Sequence, residues 1–378
     1  MSNYFSRYCA LISSAEQLDY CRQANTLAEL LACIRILWEC HGVDDNELLN
    51  EILSLNQTPI TTATVTLAGV WLPYRYQAKQ GLVNWLLPVG HATQPFFDEY
   101  ISHCRQQLLN QIIQPCTSLA VAQQQANNIN HIQPAGFIFH LSRCGSTLIS
   151  GCLSELESTC VFSESPLLTE LLLDGNLSVD EQQKFLIAFI NLQSAAFPQR
   201  PDMIIKWNAW DIFRWDLIRS LYPHTPVIFL VRDPVEILAS HHRSAGRHMA
   251  GDQVLESFHP LFANWSSKQS VLGKRVKVLE GLMSAMQGCD LSSVIRIIDY
   301  QQLDCQLMDT VKFLGGSIDE NNRLEIQKRI SYHSKNPAQV FVADSEKKKN
   351  NFDREDQEMV LEKLLLIYKK LICFAHNS

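Results

Sequence analysis

The feature that most constrains this chain is a set of four short, mostly apolar runs in its second half, at residues 136–141, 203–206, 226–231 and 294–298. Each is too short for a buried helix and fits a buried strand. Each is followed by a polar motif and then by helix-forming sequence. Strands alternating with helices predict an α/β fold, a central parallel sheet with helices on both faces. In such sheets ligands gather at the carboxyl ends of the strands, where these polar motifs fall.

The first half reads differently. Leu27, Leu30, Leu31, Ile34 and Leu37 recur at helical spacing, which predicts one or two amphipathic helices over residues 16–40. Asp44 and Asp45 precede a further helix at 47–55, and residues 95–113 return to helical spacing. Residues 61–68 and 81–87 read as strands. The polar stretch QQQANNINHIQ at 123–133 reads as a linker or surface loop. The expected division is a smaller mixed α/β N-terminal domain of unassigned role (residues 1–130), suited to shaping a substrate or to forming a homo-oligomer, and a catalytic nucleotide-binding domain (131–378).

Composition removes several classes. A chain 46% hydrophobic and 19% charged folds around a core. A net charge of −7 gives no support for a nucleic-acid surface, although an anionic ligand needs only a few local cations. The 12 cysteines are scattered, with no CxxC pair and no Cys/His zinc spacing, so reduced thiols in a cytoplasmic protein and no metal are expected. No run of about 18 apolar residues predicts a membrane span, and the first residues lack the apolar core of a secretory signal.

Two motifs carry the chemistry. In GFIFHLSRCGSTLISGCL a strand runs through a tight loop into a helix. Gly145 permits the torsion that the loop needs. The amides of Cys144, Gly145, Ser146, Thr147 and Leu148 would open the helix toward an anion, with Arg143 adding a fixed charge. The lysine of a Walker loop is missing, because Gly145 runs directly into Ser146 and Thr147. In VIFLVRDPVEILASHHR, Asp233 stands where an N-cap belongs and Pro234 at the first helical position. Arg232 at the strand end and Ser240 along the helix can then converge on one phosphate. The plain alternatives are a Ser/Gly-rich turn and a surface arginine.

Together these motifs resemble those of the PAPS-dependent sulfotransferases (3′-phosphoadenosine-5′-phosphosulfate), with a layout like that of the tyrosylprotein and bacterial members. SRCGSTL resembles the family's 5′-phosphosulfate loop, a P-loop type, and RDPVEILAS its 3′-phosphate motif. RIIDYQQLDCQLMDTVKFLG resembles its Tyr-Glu-Asp-Leu segment and Phe-Leu-Gly helix end, but Gln301 and Gln302 replace both acids, and Cys144 stands where Ser is commoner. The resemblance spans residues 136–313. It implies transfer of a sulfuryl group from PAPS to an acceptor hydroxyl on a carbohydrate, peptide or small molecule, without a metal. It also implies Arg143 and residues 144–148 on the 5′-phosphosulfate and Arg232 with Ser240 on the 3′-phosphate.

In-line displacement at sulfur calls for a base and for cations near the leaving oxygen. The resemblance points to Glu164 as base and to Lys206, with Arg143, as stabilisers of the leaving group. Glu170, His241 and His242 compete for the base, and a solvated Glu164 or strand-end Lys206 is the plain alternative. Trp207 and Trp210 wall an acceptor pocket, stack on adenine, or are core. Residues 331–344 read as a covering loop from which Lys335 reaches the site, and Lys347, Lys348 and Lys349 either close on the nucleotide or form a solvated charge run. Two other functions remain open: a divergent P-loop small-molecule kinase with Asp299 on Mg²⁺, and a non-catalytic nucleotide-binding scaffold.

Overall fold

Five runs of buried, largely β-branched and aromatic residues become the strands of one parallel sheet. They are β4 (Gly136–His140), β5 (Thr159–Ser163), β6 (Asp202–Lys206), β7 (Val227–Val231) and β8 (Ile295–Asp299), in the order β5-β6-β4-β7-β8. Every neighbouring pair is parallel. The computed structural model describes the chain apart from residues 1–2, 63–64, 264, 266–269, 291–292, 334–335, 341–351 and 376–378, and gives the backbone alone for 331–340.

The two faces of the sheet carry different cores, as alternation along a strand requires. Ile138, Val161, Ile204, Ile228 and Leu230 pack with α8 (Ser146–Ser154), α15 (Leu303–Phe313) and α16 (Glu320–Ser331). Phe137, Phe139, Phe162, Met203 and Phe229 belong to the larger cluster on the other face. That cluster takes in α9 (Pro166–Leu173), α10 (Val179–Ala195), α11 (Trp215–Leu221), α12 (Pro234–Arg243), α13 (Gln253–Phe258), α14 (Val271–Gln287) and the last helix, α17 (Arg354–Ala375). The expected α/β class with helices on both faces is the observed one. β5 was missed: Thr-Cys-Val-Phe-Ser carries too little apolar sequence to stand out beside its neighbours.

The first part of the chain holds α1 (Asn3–Ser13), α2 (Ala15–Arg22), α3 (Leu27–Leu37) and α4 (Asp45–Asn56), the last capped by Asp44 as expected. A small antiparallel sheet follows, β1 (Leu72–Gln77), β2 (Leu82–Leu86) and β3 (Cys116–Ser118), with α5 (Phe97–Cys104), α6 (Leu108–Ile112) and α7 (Leu119–Ala126). Three expectations need correction. The described part of 61–68 is not a strand; its Thr alternation lies in a loop, and β1 falls later, at LPYRYQ. Residues 123–126 of the polar stretch are helical and Gln125 is buried, because its amide accepts from Leu67 N and donates to Val65 O, both at 2.8 Å. Where a covering loop is expected at 331–344, the described residues include two antiparallel strands, β9 (Tyr332–His333) and β10 (Asn336–Val340). Lys335 and Lys347, Lys348 and Lys349 lie outside the described residues.

The larger cluster runs without a break from Tyr8 and Trp71 to Phe229. Polar contacts seal the junction. Arg75 pairs with Glu170 at 2.6 Å, Tyr76 N donates to the same carboxylate at 2.7 Å, and the Tyr76 hydroxyl donates to Asp174 at 2.7 Å. Glu170 is thus a docking residue for β1 rather than a competitor for the base. Tyr76→Phe is expected to cost about 1–2 kcal/mol, because it leaves the buried Asp174 short of a donor. Urea unfolding should show a lower midpoint with an unchanged slope.

Candidate active site

The residue at or just past each strand end supplies the site: the loop 141–145 after β4, Glu164 after β5, Lys206 closing β6, Arg232 after β7, and Asp299 with Tyr300 at the end of β8. The register aligns both Ile138 and Ser163 with Lys206, so β5 and β6 end level and β4 runs two residues further, to His140.

The loop is set by left-handed backbone. Ser142, Arg143 and Gly145 have φ of 66°, 56° and 85°. A β-carbon at Gly145 would sit 2.5 Å from Leu303 Cδ2 and 3.0 Å from Tyr300 Cδ2, so glycine is required by space as well as by torsion. The amides of Ser146 and Thr147 have no hydrogen-bond partner among the described residues, whereas Leu148 N closes on Gly145 O at 2.9 Å. Of the expected amide donors, Leu148 N is thus used within the helix, while those of Ser146 and Thr147 are available at the start of α8. Cys144 is buried, and burial pushes its thiol up to about 12, so it is inert.

Arg143 and Arg232 lie together. Arg232 Nη1 donates to Arg143 O at 2.9 Å, and its guanidinium lies 3.9 Å from the Tyr300 ring centroid. Its other nitrogens grip Glu236 Oε2 at 2.6 and 2.7 Å, a partner that sequence reading overlooked although Glu236 stands one turn along α12. Arg143 Nη2 donates to Ser244 O at 2.7 Å, past the end of α12. Asp233 caps α12 and Pro234 opens it, as expected, and Ser240 is buried within it. In the third motif Tyr300 lies against Arg232, and Tyr300 and Leu303 crowd Gly145.

Glu164 and Lys206 meet. Lys206 Nζ has no solvent exposure and pairs with Glu164 Oε1 at 3.0 Å, while the Glu164 side chain remains 23% exposed. Glu164 takes a left-handed φ of 59°, with its amide donating to Lys206 O at 2.7 Å. Burial opposes ionisation of Glu164, but Lys206 and His140 outweigh it and hold the carboxyl well below the usual carboxylate range. Phe96, from the first part of the chain, lies 4.9 Å from Lys206 Nζ.

Three neighbours escaped sequence reading. His140 closes β4, with Nε2 3.5 Å from Glu164 Oε1. His248 is buried against Trp210 and His241, and burial lowers its pKa to about 3, Glu164 opposing. Asp211 is fully buried; burial lifts it to about 7 against the donors of Asn208. Lone histidines and an Asp after a strand carry no sequence signal of their own. Of the aromatic candidates, Trp207 is core, stacked on Phe139, and Trp210 is buried beneath Arg247. His241 is buried and accepts from Gly246 N, while His242 is exposed against Phe352. Among the described residues no group of three His, Cys, Asp or Glu has metal-binding geometry, and no helix is long and apolar enough to cross a membrane.

No protein-family model matches the chain, and no curated protein matches it. Among solved structures, the chain is similar to a sulfotransferase from Mycobacterium tuberculosis H37Rv, at 14% identity over 64% of this chain and 81% of that one, TM-score 0.37. It is also similar to the sulfotransferase domain from the curacin biosynthetic pathway, at 13% over 62% and 98%, TM-score 0.38. A third is the sulfotransferase domain from the olefin synthase of Synechococcus PCC 7002, at 17% over 63% and 96%, TM-score 0.37.

The raised pKa of Asp211 has a signed consequence. Between the unfolded value of about 3.9 and the folded value of about 7, the folded chain holds a proton that the unfolded chain releases. This group therefore removes stability as pH rises through that window. Unfolding free energies of Asp211→Asn, relative to the unaltered chain, should shift in the variant's favour from pH 4 to 7 and then level off.

Proposed function

We propose that this chain is a sulfotransferase that moves the sulfuryl group of PAPS to an acceptor hydroxyl. The observation that carries the reading is the Lys206–Glu164 pair beside a glycine-turned loop that opens a helix, all at the carboxyl edge of one parallel sheet. The residues fit a phosphosulfate: two available amides at the start of α8, the hydroxyls of Ser146 and Thr147, and the cations Arg143 and Lys206. In this reading Arg232, one strand away and joined to Arg143 O, meets the nucleotide's second phosphate together with Ser240 on the helix that follows.

In this reading the acceptor oxygen attacks sulfur, its proton passes to Glu164, and the S–O bond to the 5′-phosphate breaks. The electron pair stays on the phosphate oxygen, yielding a sulfate ester and 3′,5′-ADP. Lys206 is the natural partner for that leaving oxygen. Turning toward it would loosen the pairing that makes Glu164 a weak base, so donor binding and base activation become one event. The kinase reading loses its acid: Asp299 is buried, accepting from the Tyr368 hydroxyl at 2.7 Å and from Gln301 N at 3.2 Å.

The reading predicts that 3′,5′-ADP raises the melting temperature and that ATP with Mg²⁺ does not; the reverse pattern would favour the kinase. With labelled PAPS, Lys206→Ala should lower turnover about 10²–10³-fold and Glu164→Gln about 10²-fold or more. Full turnover by either variant removes that residue's role, and nucleotide binding with no product from any acceptor would favour the scaffold.

A further inference from the structure

We infer that His140 is a positioning residue that couples the donor loop to the base through the two nitrogens of one buried imidazole, an inference that rests on the reading above. Ser142 N donates to His140 Nδ1 at 3.0 Å. An amide hydrogen can be given only to a nitrogen lone pair, so Nδ1 is unprotonated and the ring's proton sits on Nε2. Nε2 is the atom 3.5 Å from Glu164 Oε1. One ring thus reaches the left-handed start of the loop with one nitrogen and the base with the other.

The register explains why His140 can do this. Ile138 aligns with Lys206, so His140 lies two residues further on, on the same face of the sheet and past the end of β6. From there it reaches over the strand end to Glu164. Its charged and titratable neighbours are Glu164 from the end of β5 and His248 from the turn at Arg247–Met249, with Lys206 of β6 on the far side of Glu164, Arg143 in the adjoining loop and Arg232 after the neighbouring β7.

The contact has a chemical use. At 3.5 Å it is longer than a closed hydrogen bond, as catalytic contacts often are before the reacting complex forms. Once Lys206 turns to the leaving oxygen, the neutral Nε2–H becomes the donor that keeps Glu164 in place. A neutral donor leaves the carboxylate more basic than an ammonium does. Oε1 stays held inward and Oε2 is left for the acceptor proton.

Histidine ¹⁵N spectra of the full chain test the first step, with His140→Asn identifying the resonances. When neutral, the ring should carry its proton on Nε2, and a neutral Nδ1–H form would overturn the inference. Two variants then separate the ends of the ring. His140→Asn keeps an acceptor near Nδ1 but cannot reach Glu164, so it should leave 3′,5′-ADP affinity within about two-fold. It should slow release of 3′,5′-ADP from PAPS to water about ten-fold. His140→Gln reaches Glu164 without the Nδ1 acceptor and should weaken 3′,5′-ADP about ten-fold, measured by calorimetry. If both variants change both quantities together, the ring is structural only and the inference falls. If the unaltered chain binds no 3′,5′-ADP, the donor reading fails instead, and the tautomer spectrum still decides the histidine.

Discussion

A lysine ammonium with no solvent contact closes β6, an inner strand of the parallel sheet, and the arrangement of the carboxyl edge depends on how that charge is met. At 3.0 Å from Glu164, and with an effective dielectric near ~20, the attraction is roughly 5 kcal/mol. Withdrawing the two ions from water costs several kcal/mol each. The terms nearly cancel, so the pair adds little net stability, and hydrocarbon side chains would serve the core as well. What the pair does supply is a cation and a carboxylate at a strand end; beside it burial raises Asp211 and lowers His248, with the Glu164 charge adding to the first shift and opposing the second.

Backbone strain is concentrated at the same place. Three of the four non-glycine residues with positive φ among the described residues are Ser142, Arg143 and Glu164. Each carries a cost of order 1 kcal/mol or more and persists only where neighbours enforce it. The enforcing contacts are visible: Ser142 N on His140, Arg143 O beneath Arg232, and Glu164 N on Lys206 O. Arg232 is itself clamped by Glu236 and Tyr300, so the start of α12 braces the loop before α8.

What could be read from residues alone follows from this arrangement. Four of the five sheet strands were legible because strands buried on both faces are written as apolar runs. The loop and the start of α12 were legible because Gly145, Asp233 and Pro234 have local torsional or capping reasons to stand where they do. His140, Asp211 and His248 were not, because their meaning lies in contacts between strand ends far apart in sequence. Glu236 was missed for a different reason: an acid in a helix's first turn has an ordinary explanation in the helix dipole, which hid its grip on Arg232.

The first part of the chain shows the same limit more strongly. Its reading as a unit set off by a polar stretch used composition, and composition cannot see Tyr76 bonded to residues 94 and 98 positions away, or Gln193 donating to Pro73 O across 120. These contacts seat β1 on α9 and α10, the helices that follow Glu164 in the chain. With β1 seated there, α5 presents Phe96 at its N-cap to the face of Lys206. An aromatic ring beside a desolvated ammonium offers attraction without a competing hydrogen bond. Lys206 is therefore held by groups from both parts of the chain, Glu164 from one and Phe96 from the other.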